Sequence, residues 1–318
     1  MNALLVALSA SPGIPSPPEG TWYLGPVPIR AYALLIITGM AVGAWLADRR
    51  WVARGGRHGT VLDVITLAVP AGIVGARAWH VLSHLQDYSW QDPWEVLRLW
   101  EGGLAIFGGL LGGAAGAWYA CHRRGIPLAP FADALAPGIA VGQAFGRWGN
   151  YFNQEIYGTP TNLPWGLRID PENRPAAYPD AETFHPTFLY ESLWSLATAG
   201  IVIWADRQFR LGHGRAFALY LALYGTARAL LELLRTDEAN LVAGLRVNQL
   251  AALLVVVLAL LYFTVSARLR PGRETTVEPA VAPGADQTEP SRRPGHEQPT
   301  EPAAPEGRPP RRSRWPRP

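Results

Sequence analysis

Residues 248–265 read NQLAALLVVVLALLYFTV, an apolar run without a charged side chain. A helix needs about 20 predominantly apolar residues to cross the hydrocarbon core of a bilayer, and this run with its neighbours meets that length. Residues 31–47, AYALLIITGMAVGAWLA, show the same pattern near the other end of the chain. The two stretches predict a membrane protein built from helices.

Further stretches between these two are long enough to span a membrane but contain polar residues, glycines and prolines. Such irregularity is tolerated at membrane depth where it faces protein or a watery cavity instead of lipid. We therefore predict an all-α integral membrane protein with about seven transmembrane helices. The predicted spans are residues 30–48, 60–82, 103–120, 130–149, 187–205, 214–234 and 247–267.

The composition agrees with a membrane location. Hydrophobic residues make up 49% of the 318 residues and charged residues only 17%, against roughly 25% in a soluble domain. The 13 tryptophans are also numerous, and tryptophan favours the membrane–water interface. The basic residues lie in short loops and near the C-terminus, not on one amphipathic face, so we predict no nucleic-acid partner.

The charges of the loops alternate along the chain. Arginine-rich loops follow the first, third and fifth predicted spans (RRWVARGGRH, CHRRG and DRQFRLGHGR). The loops after the second, fourth and sixth spans carry more acidic residues. Because arginine-rich loops stay on the cytoplasmic side, the alternation predicts an N-terminus outside and a cytoplasmic C-terminus.

The chain divides into three predicted parts. Residues 1–21 contain a short apolar run without a basic region before it, so we expect an outer-face segment and not a signal peptide. Residues 22–268 form the seven-helix transmembrane domain. Residues 269–318 are rich in proline and arginine with little aliphatic content, which predicts a disordered cytoplasmic tail.

Polar side chains cluster at the outer ends of the predicted spans. Residues 143–158, QAFGRWGNYFNQEIYG, place five of them at the end of span four. Ionisable residues inside a membrane are costly and mark candidate functional sites, although each one alone is also explained by snorkelling or an ion pair. The other polar residues at this depth are Tyr32, Arg77, His80, His185, Tyr190, Glu191, Arg228, Glu232, Arg235 and Gln249.

Several arginines at the outer leaflet suit a lipid phosphate, which a guanidinium holds through paired, charge-assisted hydrogen bonds. The sequence has no metal-ligand spacing, no GxSxG and no phosphate-binding glycine loop. It therefore disfavours a metalloprotease, an acyl-serine hydrolase and an NTPase, and we predict neither a cofactor nor a metal. The single Cys121 falls at the cytoplasmic end of span three, away from the cluster, and is expected to be a bystander.

The segment GRWGNYFNQEIYG resembles the signature of the prolipoprotein diacylglyceryl transferase family. Similarity extends over about residues 22–267 and includes GPVPIRAYAL, WEGGLAIFGG, HPTFLYE and LLRTDE. The resemblance implies transfer of a diacylglyceryl group from phosphatidylglycerol to the lipobox cysteine thiol of a prolipoprotein. This reaction forms a thioether and releases glycerol phosphate at the outer face of the bacterial cytoplasmic (inner) membrane.

The resemblance also assigns roles to residues of this chain. It implies that Arg147 binds the lipid phosphate and that Arg235 stabilises charge on the departing phosphate. Glu155 and Tyr32 are the other implied catalytic residues. The implied phosphatidylglycerol-binding residues, besides Arg147, are Asn150, Gly158, Glu232 and Gln249.

One position departs from the family pattern. Phe107 stands where many members have a histidine, so a histidine base cannot be assigned there. The thiol must still lose its proton, since thiolate is the nucleophile. Glu155, Tyr32, His80, His185 and water stay open as acceptors. The alternatives to an enzyme are a multispan lipid transporter, which the lack of an internal repeat disfavours, and a non-catalytic lipid-binding homologue.

Overall fold

The computed structural model describes residues 13–88, 92–99, 102–236, 241–242 and 244–279. Residues 1–12 and 280–318 of the two predicted terminal segments lie outside this description. So do Trp100, Glu101, Asp237 and Glu238 of the family-like motifs.

Helices dominate the described chain. In chain order they are α1 (Ala31–Ala53), α2 (Thr60–Ser83), α3 (Ile106–Arg123), α4 (Leu128–Phe152), α5 (Thr187–Phe209), α6 (Arg215–Leu231) and α7 (Val247–Leu269). Each long helix falls on one predicted span, and the starts agree within about one turn. Single 3₁₀ turns lie at Leu85–Asp87, Pro93–Leu97, Pro171–Asn173 and Glu232–Leu234.

In the described residues, three short antiparallel strand pairs connect or precede the helices. They pair β1 (Thr21–Leu24) with β2 (Val27–Arg30), β3 (Leu167–Arg168) with β4 (Thr183–Phe184), and β5 (Leu241–Val242) with β6 (Leu245–Arg246). The sequence did not indicate these hairpins. They are two to four residues long, too short for alternating hydrophobicity to be visible.

The chain has the surface of a multi-pass membrane protein. In the described residues, α1, α2, α4, α5, α6 and α7 have the length and apolar composition needed to cross a bilayer. α7 shows this most clearly, since Leu254, Val257, Leu258 and Leu261 are all more than half exposed. Such a continuous exposed apolar face is typical of a surface that contacts lipid. The remaining long helix, α3, has 18 residues and five glycines, which lower its hydropathy.

Glycine contacts set the closest helix packing. A Cβ on Gly108 would lie 2.2 Å from the Gly75 carbonyl oxygen, and one on Gly112 would lie 2.3 Å from that of Ala71, so α2 and α3 meet backbone to backbone. The spacing of small residues in span three predicts this approach. α1 meets α4 in the same way, because a Cβ on Gly43 would lie 2.6 Å from the Gly138 carbonyl oxygen.

The predicted tail boundary at residue 268 is wrong for the residues up to Pro279. Val277 is 1% exposed and belongs to a core cluster with Trp51, Val61 and Phe131. The buried Glu278 accepts hydrogen bonds from Thr60 and from the Arg57 side chain. The compact unit therefore extends to Pro279. One buried valine and a few ion pairs hold this segment, which composition alone cannot distinguish from a tail.

Candidate functional site

Arg147 lies in the last two turns of α4 and forms an ion pair with Glu191 in the second turn of α5. The contact joins Nε of the arginine to Oε2 of the glutamate, and the two side chains are 25% and 11% exposed. Glu191 is therefore the counter-charge that allows an arginine at this depth. Both residues stand out in the sequence, but their pairing does not follow from it.

A small polar cavity lies beside this ion pair. Its volume is about 20 Å³, which is room for roughly one water molecule. The cavity is lined by Arg147, Glu191 and Arg228. Further polar residues of α4, α5 and α6 line it that did not stand out in the sequence, namely Gln143, Ser195, Thr198, Tyr220 and Tyr224. The two tyrosines could have been found from the sequence, because Tyr220, Tyr224 and Arg228 follow one another at four-residue spacing and so share one helix face.

Glu232 does not reach the cavity as a headgroup ligand. It is 1% exposed and forms ion pairs with Arg228 at 3.0 Å and with Arg246 at 3.4 Å. Asn248 donates a further hydrogen bond to it at 3.3 Å. Removing one partner of such a buried ion pair leaves an uncompensated charge, so Glu232 fixes the two arginines in place. Arg246 and Asn248 were not singled out from the sequence.

The loop after α4 holds Glu155 next to two asparagines. Its Oε1 accepts hydrogen bonds from Asn150 Nδ2 and Asn153 Nδ2, both at 3.0 Å. Asn150 is buried, whereas Glu155 is exposed. Asn150, Asn153 and Glu155 thus form one hydrogen-bonded polar group, and a role for it in headgroup binding stays a prediction.

The backbone of this loop is unusual at two neighbouring positions. Gln154 and Ile156 have φ values of 50° and 56°, a region that side-chain-bearing residues seldom adopt. Gln154 is fixed by exchanging two hydrogen bonds with Asp170, at 2.6 and 2.9 Å. Such strain persists only where the surroundings determine the conformation, and here it directs the chain from α4 towards Gly158.

Gly158 brings the loop against Arg235. The two residues form an isolated antiparallel bridge, and Thr159 N donates to Leu234 O at 2.7 Å. A Cβ on Gly158 would lie 2.8 Å from the His185 Cβ and 3.0 Å from the Leu234 oxygen. The glycine is required by this close approach, so its effect on a bound lipid would act through the position of Arg235.

Tyr32 and Gln249 occupy the starts of α1 and α7. The Tyr32 ring lies against Gly149, where a Cβ would come within 2.1 Å of its Cδ2 atom. This contact places Tyr32 one residue from Asn150. Gln249 is buried and donates from Nε2 to the Ala229 carbonyl at 3.2 Å, so it fastens α7 to α6.

The other polar groups at this depth have local partners. Arg77 donates to the carbonyls of Glu95, Val96, Gly102 and Gly103, and thereby fastens the α2–α3 connection. His80 stacks on His84, with ring centroids 4.4 Å apart. His185 Nδ1 lies 3.3 Å from the Tyr190 hydroxyl, which accepts a hydrogen bond from Trp165 Nε1 at 3.0 Å.

Phe107 and Cys121 lie apart from the cavity. Phe107 is 63% exposed in the first turn of α3. Cys121 is 1% exposed and packs with Phe131 near the start of α4, whereas Arg147 is 16 residues further along that helix, roughly 24 Å away. In the described residues no group of three or more His, Cys, Asp or Glu side chains could hold a metal ion.

The chain is similar to known proteins over most of its length. A family model described as prolipoprotein diacylglyceryl transferase matches residues 19–265. A phosphatidylglycerol–prolipoprotein diacylglyceryl transferase of Streptomyces griseus is 56% identical over 269 residues, covering 84% of this chain and 81% of that protein. Proteins of the same description from Rhodococcus jostii and Mycobacteroides abscessus are 48% and 45% identical, over 285 and 294 residues. These alignments cover 85% and 86% of this chain, and 79% and 85% of the two relatives.

Proposed function

The chain belongs to the prolipoprotein diacylglyceryl transferase family, and we propose that it transfers the diacylglyceryl group of phosphatidylglycerol to the lipobox cysteine of prolipoproteins. The observation that carries this proposal is the paired Arg147, at the edge of a polar cavity between three membrane helices. The cavity itself has room for about one water molecule, so the partly exposed Arg147 guanidinium would bind the phosphodiester outside it, while the acyl chains stay in lipid.

We propose a seven-span topology with the N-terminus outside and the C-terminus in the cytoplasm. Tyr32 and Glu191 lie at helix starts, whereas Arg147 and Arg228 lie at helix ends. The grouping of starts of odd-numbered helices with ends of even-numbered helices supports a crossing by every helix, with α3 as the seventh span. The arginine-rich loops then lie on the cytoplasmic side of a bacterial inner membrane.

The bond that breaks follows from the product. A thioether joins the cysteine sulfur to a glycerol carbon, so the thiolate attacks that carbon and the carbon–oxygen bond to the phosphate breaks. The electron pair leaves with glycerol phosphate, whose negative charge grows during the step. We assign the binding of the phosphodiester to Arg147 and the stabilisation of the growing charge to Arg235, the arginine that Gly158 adjoins.

The remaining polar residues position these groups. Glu232 holds Arg228 and Arg246 at the end of α6. Asn150 and Glu155 are hydrogen-bonded to each other at the end of α4, and the Tyr32 ring lies against the neighbouring Gly149. We assign to these three side chains the hydrogen bonds to the glycerol headgroup. Gln249 contributes indirectly, through its hydrogen bond to α6.

The proton of the thiol needs an acceptor. Glu155 is exposed and accepts hydrogen bonds from Asn150 and Asn153. His185 adjoins the Gly158 segment, because Gly158 N donates a hydrogen bond to the His185 carbonyl oxygen. The two are distinguished by the pH dependence of kcat/KM in Glu155→Gln and His185→Ala, since removing the base removes the corresponding limb of the profile.

The activity is tested directly with purified protein in phosphatidylglycerol-containing nanodiscs and a synthetic lipobox peptide. We expect the peptide to gain the mass of a diacylglyceryl group, and a peptide with serine for the cysteine to gain nothing. Lipid bound by the protein without product would favour a non-catalytic lipid-binding protein and overturn the proposal.

A further inference from the structure

A second polar cleft lies at the end of the bundle opposite to Arg147. Helices α1 and α5 both pack on α4, and between the C-terminal turns of α1 and α5 is a cleft of about 480 Å³. The candidate active site lies at the start of α1 and the end of α4, so the cleft is separated from it by the length of the helices. The proposed reaction makes no use of this cleft.

The cleft carries a large excess of positive charge. Asp206 is the acidic residue among its described lining residues, and it is shared by Arg50 at 2.8 Å, Arg54 at 3.0 Å and Arg273. Asp133 lies 3.7 Å from Arg54 and compensates part of the remaining positive charge. The arginines that line the cleft are Arg49, Arg50, Arg54, Arg207, Arg210 and Arg273.

Several of these guanidinium groups have unused hydrogen-bonding capacity. The Arg54 side chain is 1% exposed, and its Nε and Nη1 atoms have no hydrogen-bond partner in the described structure. Arg49, Arg207 and Arg210 are exposed, and no carboxylate of the described chain pairs with them. The exposed guanidinium groups of Arg49, Arg207 and Arg210 can therefore donate hydrogen bonds to an anion from outside the protein.

The wall of the cleft is apolar on the membrane side. Trp45 is 55% exposed, and Arg49 stacks over its ring at 4.4 Å from the centroid. Leu46 and Ile203 continue this wall along the two membrane-spanning helices. Tryptophan at this position is typical of the headgroup level of a bilayer. A ligand in the cleft would therefore meet arginines with its polar part and a lipid-facing surface with the rest.

We propose that this cleft binds the phosphate headgroup of an anionic phospholipid in the leaflet opposite to that of the candidate active site. The phosphate oxygens accept hydrogen bonds from the arginines, and the acyl chains lie along Trp45 and Ile203. Clusters of basic side chains next to membrane spans bind anionic headgroups in this way. This lipid is bound and not consumed, so the site is independent of the transfer reaction.

The test measures lipid binding by native mass spectrometry with the candidate active site disabled. Delipidated Arg147→Ala protein is titrated with phosphatidylserine, with and without Arg49→Gln and Arg207→Gln together. These two arginines have no carboxylate partner in the described structure, so the fold should persist, and circular dichroism verifies it. We expect the double substitution to weaken phosphatidylserine binding by about 10–30-fold, since each arginine near the surface contributes to the attraction.

Three controls decide the interpretation. Arg268→Gln, an exposed arginine of the last turn of α7 outside the cleft, should leave the affinity unchanged. Phosphatidylcholine should bind more weakly than phosphatidylserine, and inorganic phosphate at the same concentration should not compete. The proposal would be overturned if Arg268→Gln lost as much phosphatidylserine affinity as the double variant, or if the double variant lost none. It would also be overturned by equal binding of phosphatidylcholine or by full competition from inorganic phosphate.

Discussion

Glu191 holds the Arg147 guanidinium in an ion pair whose closest contact joins Oε2 to Nε. This geometry suits an anion clamp, because the carboxylate fixes the position of the arginine while the arginine side chain stays 25% exposed. The pair also connects the end of α4 to the start of α5. An intact Arg147–Glu191 pair should therefore matter more for the orientation of the bound lipid than for the affinity of the protein for that lipid.

We predict that Glu191→Gln lowers kcat for transfer about 10–100-fold while KM for phosphatidylglycerol changes little. The amide keeps the shape but not the charge, so Arg147 is still present but no longer held in one orientation, and small misplacements are costly. Steady-state kinetics at varied phosphatidylglycerol content separate the two constants. Glu191→Asp should restore part of kcat, and an unchanged kcat with only a lower Tm would show that the pair is merely structural.

Gly158→Ala should destabilise the loop and reduce activity together. The added Cβ would meet the His185 Cβ and the Leu234 carbonyl, and relieving such overpacking costs about 1–3 kcal/mol. The shift would also move the strand that pairs with Arg235. The measurements are Tm and the transfer rate, with Gly200→Ala as the matched control because a Cβ there meets nothing within 4 Å. Equal behaviour of the two variants would contradict this account of Gly158.

The spans could be read from the sequence because lipid imposes length and apolarity on each helix separately. The close approach of another helix at Gly108 also followed from the spacing of small residues, whereas its partner Gly75 did not. What composition could not distinguish was the packed segment around Val277, whose burial depends on a groove made by residues far away in the chain.

The site was only partly predictable for a related reason. Arg147 and Asn150 stood out as costly polar residues in an apolar context. Their partners depend on helix packing, so the ion pair with Glu191 and the group around Glu232 could not be derived from spacing. Tyr220 was missed because an aromatic residue in a membrane helix is unremarkable by itself.

Glu278 should make stability depend on pH in the acidic range. Burial would raise the pKa of this carboxyl group, but hydrogen bonds from Arg57 and Thr60 outweigh that effect and hold the pKa below its ordinary value. A lowered pKa contributes stability that is fully present above the unfolded value of about 4.3 and is lost as pH falls through the folded value.

Glu278→Gln should therefore cost about 1–3 kcal/mol at pH 7, and the difference in Tm from wild type should shrink below about pH 4.3. Thermal unfolding across pH 3–7 in one detergent measures this. A matched Glu172→Gln change, at an exposed residue of the 171–173 turn, should have no such effect. A constant difference at every pH would mean that the charge of Glu278 does not support the packed segment.

The proposed topology predicts which introduced thiols are reachable from outside. The native Cys121 is buried and should not react, so single substitutions can be made in the wild-type chain. In intact spheroplasts, Glu172→Cys should be labelled by a membrane-impermeant maleimide, whereas Thr275→Cys should be labelled only after permeabilisation. The reverse pattern would invert the orientation, and labelling of both would contradict the three crossings proposed between the two positions.

The central claim is that Arg147 binds the phosphate of the lipid donor. The most direct measurement is the rate of diacylglyceryl transfer to a lipobox peptide by Arg147→Ala and Arg147→Lys, with Arg268→Gln as the control. We predict a loss of about 10²–10³-fold for alanine, a smaller loss for lysine because it cannot form the forked contact, and full activity for the control. Arg147→Ala protein that is folded and transfers the diacylglyceryl group at the wild-type rate would contradict the account.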